Sequence, residues 1–195
     1  MTSLLIKLIL PLALLTSTAG VCTGFWKTCV YEQTPGQPAT AASLWPDHCP
    51  LTRDPHRPTL ILALHPNCPC SRATLTELAQ LVADHPNALT IHALFERPPH
   101  FTQDWATIDL WQSAATIPGV HALEDSHQIA ITRFAAETSG QVFLYDTSGC
   151  LQFHGGITAS RGHPGDNDGR AAIESFLATG HAPIDHTPVY GCALR

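Results

Sequence analysis

TLILALHPNCPCSRATLTELAQL, Thr59 to Leu81, changes its hydrophobic period half-way along. Leu60 to Leu64 is a short continuous apolar run, which predicts a strand buried on both faces. Leu75, Leu78, Ala79 and Val82 recur three and four residues apart, the apolar face of a helix. Cys68, Pro69 and Cys70 fall at the junction. A helix N-terminus carries partial positive charge and favours thiolate, the reactive form of cysteine. Pro69 lacks an N–H and has a fixed φ, which suits the first helical position. Cys68 precedes the helix and is expected to be the more exposed thiol, the nucleophile. Cys70 would then resolve, and Arg72 would support the thiolate charge. A disulfide across one intervening residue closes a strained ring, and strain makes it easier to reduce. The pair therefore reads as a redox dithiol, or as two sulfurs that stay open and hold a metal. Two inert thiols are the blander alternative, but paired thiols at a strand–helix junction are more specific than a single cysteine.

Composition narrows the field. The 195 residues give room for one domain and a tail or anchor. Ten Lys and Arg against sixteen Asp and Glu leave a net charge of −6, with no basic footprint for nucleic acid. Hydrophobic residues at 44% support a real core. Seven cysteines cannot all pair within one chain: Cys22, Cys29, Cys49, Cys68, Cys70, Cys150 and Cys192. Their spacing does not suit a zinc ribbon. Twelve histidines are scattered without a metal-ligand period.

Residues 1–26 have Lys7 as their only charge. They read as a signal peptide, with Leu8–Leu15 as the apolar region, or as an uncleaved membrane anchor. Either places the rest of the chain outside the cytosol, on the periplasmic side, secreted or membrane-anchored, where disulfides persist. Residues 27–58 are Pro-rich and read as a linker. The domain is expected over 59–180, and residues 181–195 form a tail carrying Cys192. Within the domain the pattern predicts a strand over Ala88–Phe95 and a helix over 102–116 with Trp105, Ile108 and Trp111 in the core. A short strand follows over Val120–Glu124 and a short helix over Gln128–Ala136. A hairpin is predicted from Gln141–Tyr145 and Cys150–His154, with Cys150 as a small core residue. A last helix over Arg170–Leu177 would be capped by Asn167 or Asp168.

The Cys-bearing segment and this order of elements resemble the thioredoxin-like superfamily, extracytoplasmic type. The resemblance implies an α/β fold, a central mixed sheet flanked by helices, with an insert before the C-terminal hairpin. The superfamily's usual pair is C-x-x-C; here it is C-P-C. Its cis-proline before the hairpin is missing, and Thr138, in Glu137-Thr138-Ser139-Gly140, takes the matching position. More narrowly, H-P-N-C-P-C-S-R-A-T-L, the Thr-Ser-Gly, G-G-I-T-x-S-R-G-H and the late T-P-V-Y-G-C look like a bacterial group known as RedB-like. That likeness makes Cys192 a third motif cysteine, which would resolve a mixed disulfide or complete a metal site. The thioredoxin-like resemblance further implies that the second hairpin strand returns toward the active-site end, so residues 155–170 are expected as a substrate-facing loop, with Arg161 and His163 supplying positive charge; a solvated surface loop is the other reading.

Three functions follow as expectations. The first is an extracytoplasmic thiol–disulfide oxidoreductase acting on a protein dithiol or disulfide without a cofactor, through Cys68, Cys70, Cys192, Thr138 and Arg161. The second is a copper-binding protein of the same fold, with Cu(I) on Cys68 and Cys70 and a histidine among His65, His154 and His163. Copper-chaperone relatives use C-x-x-x-C and a distal histidine, a spacing this chain lacks. The third is a thiol peroxidase of peroxiredoxin-like type, suggested by Thr138 and Arg161.

Overall fold

β1 (Thr59–Leu64) is buried at every position, which is why its sequence does not alternate. It is the middle strand of a five-stranded sheet. In the computed structural model, which describes residues 2–98, 100, 102 and 109–194, the strand order is β3-β2-β1-β4-β5. β2 (Thr90–Arg97) pairs in parallel with β1, and β3 (Val120–Ser126) in parallel with β2. On the other side β4 (Gln141–Tyr145) runs antiparallel to β1, and β5 (Leu151–Gly156) antiparallel to β4. A parallel connection needs a crossover, and α2 (Pro69–Asp84) is the crossover between β1 and β2.

Successive residues of β1 supply two cores. Leu60, Leu62 and Leu64 pack with Leu75, Leu78 and Leu81 of α2, with Leu110 and Ala114 of α3 (Asp109–Ala115), and with Ala172, Ile173 and Phe176 of α5 (Asp168–Thr179). Ile61 and Ala63 face the other way, onto Ala130, Ile131 and Phe134 in and beside α4 (Ile129–Arg133). Each large apolar side chain so enclosed contributes about 1.5–3 kcal/mol relative to exposure. α5 begins as its sequence suggests: Asn167 caps it, accepting from the Arg170 N–H at 2.8 Å, and Gly180 ends it with φ 78°. The segment between β2 and β4, expected as an insert, supplies α3, β3 and α4. It adds the third parallel strand at the sheet edge. Trp111 packs beside the first core, whereas Trp105 and Ile108 lie outside the described residues.

Two compact units divide the chain, residues 1–34 and 35–195. The first is one helix, α1 (Thr2–Gln33), of which Ile9–Gln33 is long and apolar enough to cross a membrane. Four of its threonines satisfy their hydroxyls within the helix. Thr16, Thr18, Thr23 and Thr28 each return a hydroxyl to the carbonyl four residues back. The second unit starts well before Thr59. Much of the stretch read as a linker packs on the second core: Ala39 is buried, and Trp45 lies edge-on to Phe134 and Tyr145 at centroid distances of 5.3 and 5.2 Å. Trp45 N–H donates to the Gly149 carbonyl and Leu151 N–H to that of Ser43, both at 2.8 Å. Cys150 sits in the turn before β5, half-buried, rather than inside the core.

Candidate active site

β1 ends at Leu64, and the chain turns through His65, Pro66 and Asn67 into α2. Cys68 is the N-cap of that helix, with extended backbone angles, and Pro69 opens the first turn. The turn is closed by the Cys68 N–H donating to the His65 carbonyl at 3.2 Å. Both motif thiols are covered. Cys68 is 3% exposed and Cys70 6%, so the expectation of a more exposed Cys68 does not hold. The reason lies outside the motif: the tail is laid over it.

The tail after α5 first pairs along the free edge of β5. His154 N–H donates to the Asp185 carbonyl at 2.9 Å, and Thr187 N–H returns to the His154 carbonyl at 3.2 Å. It then crosses Gly155 and Gly156. Gly155 has φ 143°, and a Cβ there would collide with Thr187. Further on, Ser139 N–H donates to the Cys192 carbonyl at 2.8 Å and Leu194 N–H to the Glu137 carbonyl at 3.0 Å. Gly191 lets the backbones meet, because a Cβ there would run into the Ser139 carbonyl. Leu194 is then buried in the second core. The outcome is that the sulfurs of Cys68 and Cys192 lie 3.0 Å apart, both as free thiols.

The electrostatics of the three thiols are unequal. Cys68 is held well below the ordinary thiol range, first by a hydrogen bond from the Cys70 thiol. The Cys192 thiol and the backbone N–H groups of Ser71 and Cys192 add to this, against the opposing effect of burial. Cys70 is pushed up by its hydrogen bond to Cys68 and by burial. Burial, then the hydrogen bond to Cys68, pushes Cys192 up as well. The negative charge therefore resides on Cys68, at the positive end of a 16-residue helix.

Arg161 and the loop before α5 do reach this site. Arg161 donates to the Gly191 carbonyl, and its charge favours the Cys192 thiolate. The Gly162 backbone hydrogen-bonds Cys70. Glu77, fully buried on α2, latches the loop: it accepts from the Gly165 N–H at 2.6 Å and from Asn167 Nδ2 at 3.2 Å, and pairs with Arg170 at 2.8 Å. Thr138 is placed differently. Its hydroxyl donates to the Gln37 carbonyl at 2.8 Å. The hydroxyl that reaches the cysteine helix is Ser139, 2.6 Å from Ser71 Oγ and accepting from the His65 N–H at 2.9 Å. Arg72 pairs with Asp109 at 2.7 Å across a cleft of about 200 Å³ whose floor includes Cys68.

The three histidines do not converge on the thiols as a set. His65 Nδ1 accepts from the Asn67 N–H at 3.0 Å, and its Nε2 lies 3.7 Å from the carboxylate of Glu96. His154 stacks on His186 at 5.9 Å, and His163 is exposed on the loop. Among the described residues no group of three or more His, Cys, Asp and Glu side chains is arranged to hold a metal ion.

Two residues here gave no signal in the sequence. Glu96, 2% exposed at the end of β2, is raised to about 7 by burial. Gln128 donates from one amide nitrogen to Glu96, at 2.6 Å, and to the Leu194 carbonyl, tying the carboxylate to the tail.

Three parallel strands, an antiparallel hairpin against the first of them, and cysteines at the mouth of the helix after that strand fix the architecture. The fold is thioredoxin-like. No family model and no curated protein matches the chain. Among solved structures, a hypothetical protein from Sinorhizobium meliloti is similar at 22% identity and TM-score 0.59, covering 83% of this chain and 93% of that one. An uncharacterized conserved protein from Geobacillus kaustophilus is similar at 19% identity and TM-score 0.59, covering 84% and 92%. On this thioredoxin-like frame the third thiol comes from the tail, not from the helix.

Proposed function

We propose that the protein is a thiol–disulfide oxidoreductase whose working pair is Cys68 and Cys192, held on the outer side of a membrane by α1. The observation that carries the reading is the 3.0 Å contact between the two sulfurs, with four donors gathered on Cys68. Oxidation joins the two sulfurs and releases two electrons and two protons to a protein disulfide; reduction reverses this. Cys70 is then a hydrogen-bond donor to the Cys68 thiolate. A Cys68–Cys70 bond would close a strained ring across one intervening residue, whereas Cys192 reaches Cys68 from a separate segment. Stabilising the Cys68 thiolate stabilises the reduced form, so the pair is an oxidant. The peroxidase reading is disfavoured because the Thr138 hydroxyl is committed to Gln37. Copper on Cys68 and Cys70 ranks behind thiol–disulfide exchange, because His154 is stacked on His186 and His163 is exposed on the loop, which leaves His65 as the candidate histidine beside the motif. The partner is a protein dithiol, and the RedB-like motifs fit this use of the tail.

The test is thiol trapping of the full-length protein in detergent across a glutathione redox series. The reading expects one reversible two-electron transition, lost in Cys68→Ser and Cys192→Ser and shifted but retained in Cys70→Ser. A transition kept in Cys192→Ser and lost in Cys70→Ser would return the role to the C-P-C pair. No transition at any poise would end the redox reading.

A further inference from the structure

We infer that the partner's sulfur bonds to Cys192, on the tail, and not to the helix-capping Cys68. This rests on the exchange reading above and specifies which sulfur the partner meets. Three observations carry it. Cys68 is 3% exposed, whereas Cys192 is half-buried, and its neighbour Ala193 is exposed. The cleft that reaches Cys68 from the helix side holds about 200 Å³ and is walled by the Arg72–Asp109 pair, below the usual ~300–1,000 Å³ of a ligand pocket. The donors that stabilise a departing thiolate surround Cys68: the backbone N–H groups of Ser71 and Cys192 and the thiol of Cys70. In an exchange the sulfur that leaves is the one not attacked, and the better-stabilised thiolate leaves faster.

The tail is built to present Cys192 rather than to swing away. It is fixed on both sides of that residue, by Arg161 on the Gly191 carbonyl, by Ser139 and Glu137 in the backbone ladder, and by Gln128 on the Leu194 carbonyl. Val189 and Leu194 are buried. The Arg161 charge beside Cys192 also favours an incoming thiolate.

The steps balance. A partner thiolate attacks Cys192 Sγ, the Cys68–Cys192 bond breaks, and Cys68 leaves as a thiolate with the electron pair. A partner–Cys192 disulfide now exists. The partner's second thiolate attacks the partner sulfur of that bond and expels the Cys192 thiolate, which takes a proton. The partner dithiol has become a disulfide, and the protein has gained two electrons.

Oxidised full-length protein in detergent is mixed with limiting reduced glutathione, quenched with acid within the first turnover, and peptide-mapped by mass spectrometry. At least tenfold more glutathione on Cys192 than on Cys68 is expected. Glutathione mainly on Cys68 or Cys70 overturns the inference and leaves the exchange reading standing. Absence of a Cys68–Cys192 bond in the oxidised protein overturns both.

Discussion

Cys68 and Cys70 arrive at the site on the first turn of one helix, placed by the strand and turn just before them. Cys192 arrives 124 residues after Cys68, on a segment without regular secondary structure, placed by hydrogen bonds to four separate parts of the domain. The helix-borne thiols are positioned by local rules: an apolar run, a turn, a proline at the first helical position. The tail-borne thiol is positioned by what it lies across, the β5 edge, Ser139 and Gln128. Local placement gives a stabilised charge, and long-range placement gives that charge a second sulfur to bond.

The largest effect that could break this comparison is on exchange rate. Cys68→Ser is expected to slow oxidation of a dithiol peptide by roughly three orders of magnitude or more, because without Cys68 no Cys68–Cys192 disulfide forms to accept the peptide's electrons. Cys70→Ser should stay within about tenfold of wild type, since it removes one donor among several. Stopped-flow rates of peptide oxidation decide it, and equal losses in the two variants would make the helix pair, not the helix and tail, the working unit.

Next in size is the latch beneath the loop. Glu77→Ala leaves Arg170 without its buried partner and frees Gly165 and Asn167. Arg170 keeps Glu174 at 3.3 Å, so its charge is not left bare, and a loss of about 1–3 kcal/mol is expected from the donors that Glu77 leaves unsatisfied. Urea unfolding measures it, and a change under about 1 kcal/mol would show that the loop does not depend on Glu77.

How much of this was legible in the sequence follows the same division. β1, α2, the hairpin and α5 were readable because each has its own period or cap: Leu60–Leu64, Leu75–Leu78, Gln141–Tyr145 and Asn167. Cys192 is suggested by motif likeness, and Arg161 by the loop that the fold returns toward the cysteine end. Their geometry was not legible, because Arg161 meets Gly191 only after the chain has folded. Residues 35–58 lack any apolar period and so read as a linker. Their apolar residues are nonetheless used singly, as Ala39 and Trp45 are in the second core. Likeness to a threonine at the cis-proline position points to Thr138, whose hydroxyl bonds the Gln37 carbonyl in the fold. The hydroxyl that faces Ser71 is that of its neighbour Ser139. Glu96 had no signal at all: a glutamate at a strand end is ordinarily solvated, and only the packing of His65, Gln128 and the tail encloses it.

Glu96 also gives the comparison a pH dependence. Its carboxyl is raised from 4.5 to about 7 in the fold. The folded state therefore binds a proton that the unfolded chain has released, and stability falls as pH rises from the unfolded value through about 7. Glu96→Gln removes that loss. The stability difference between variant and wild type should grow in the variant's favour from about pH 5 to about pH 8, by at most about 3 kcal/mol. Asp125, raised in the same direction by burial, is common to both proteins and cancels. Urea midpoints at both pH values check this. A difference that stays flat would mean that Glu96 does not change ionisation between the two states.

The smallest effect sharpens the contrast most directly. Arg72 lies two residues beyond Cys70 and was the natural candidate, by sequence, to support the thiolate. The structure gives its guanidinium to Asp109, with both side chains more than half exposed. Charges in that setting are screened by water and salt, so Arg72 should contribute little to the charge on Cys68. The groups that hold charge on Cys68 are instead the thiols of Cys70 and Cys192 and the N–H groups of Ser71 and Cys192, half of them from the tail. In Arg72→Ala the pH midpoint for alkylation of Cys68 by iodoacetamide should therefore stay within a few tenths of wild type. In Cys192→Ala the same midpoint should rise, because a donor is gone from the thiolate. If Arg72→Ala raised the midpoint and Cys192→Ala did not, the thiolate would be a property of the helix alone, and the tail would be left only the task of covering it.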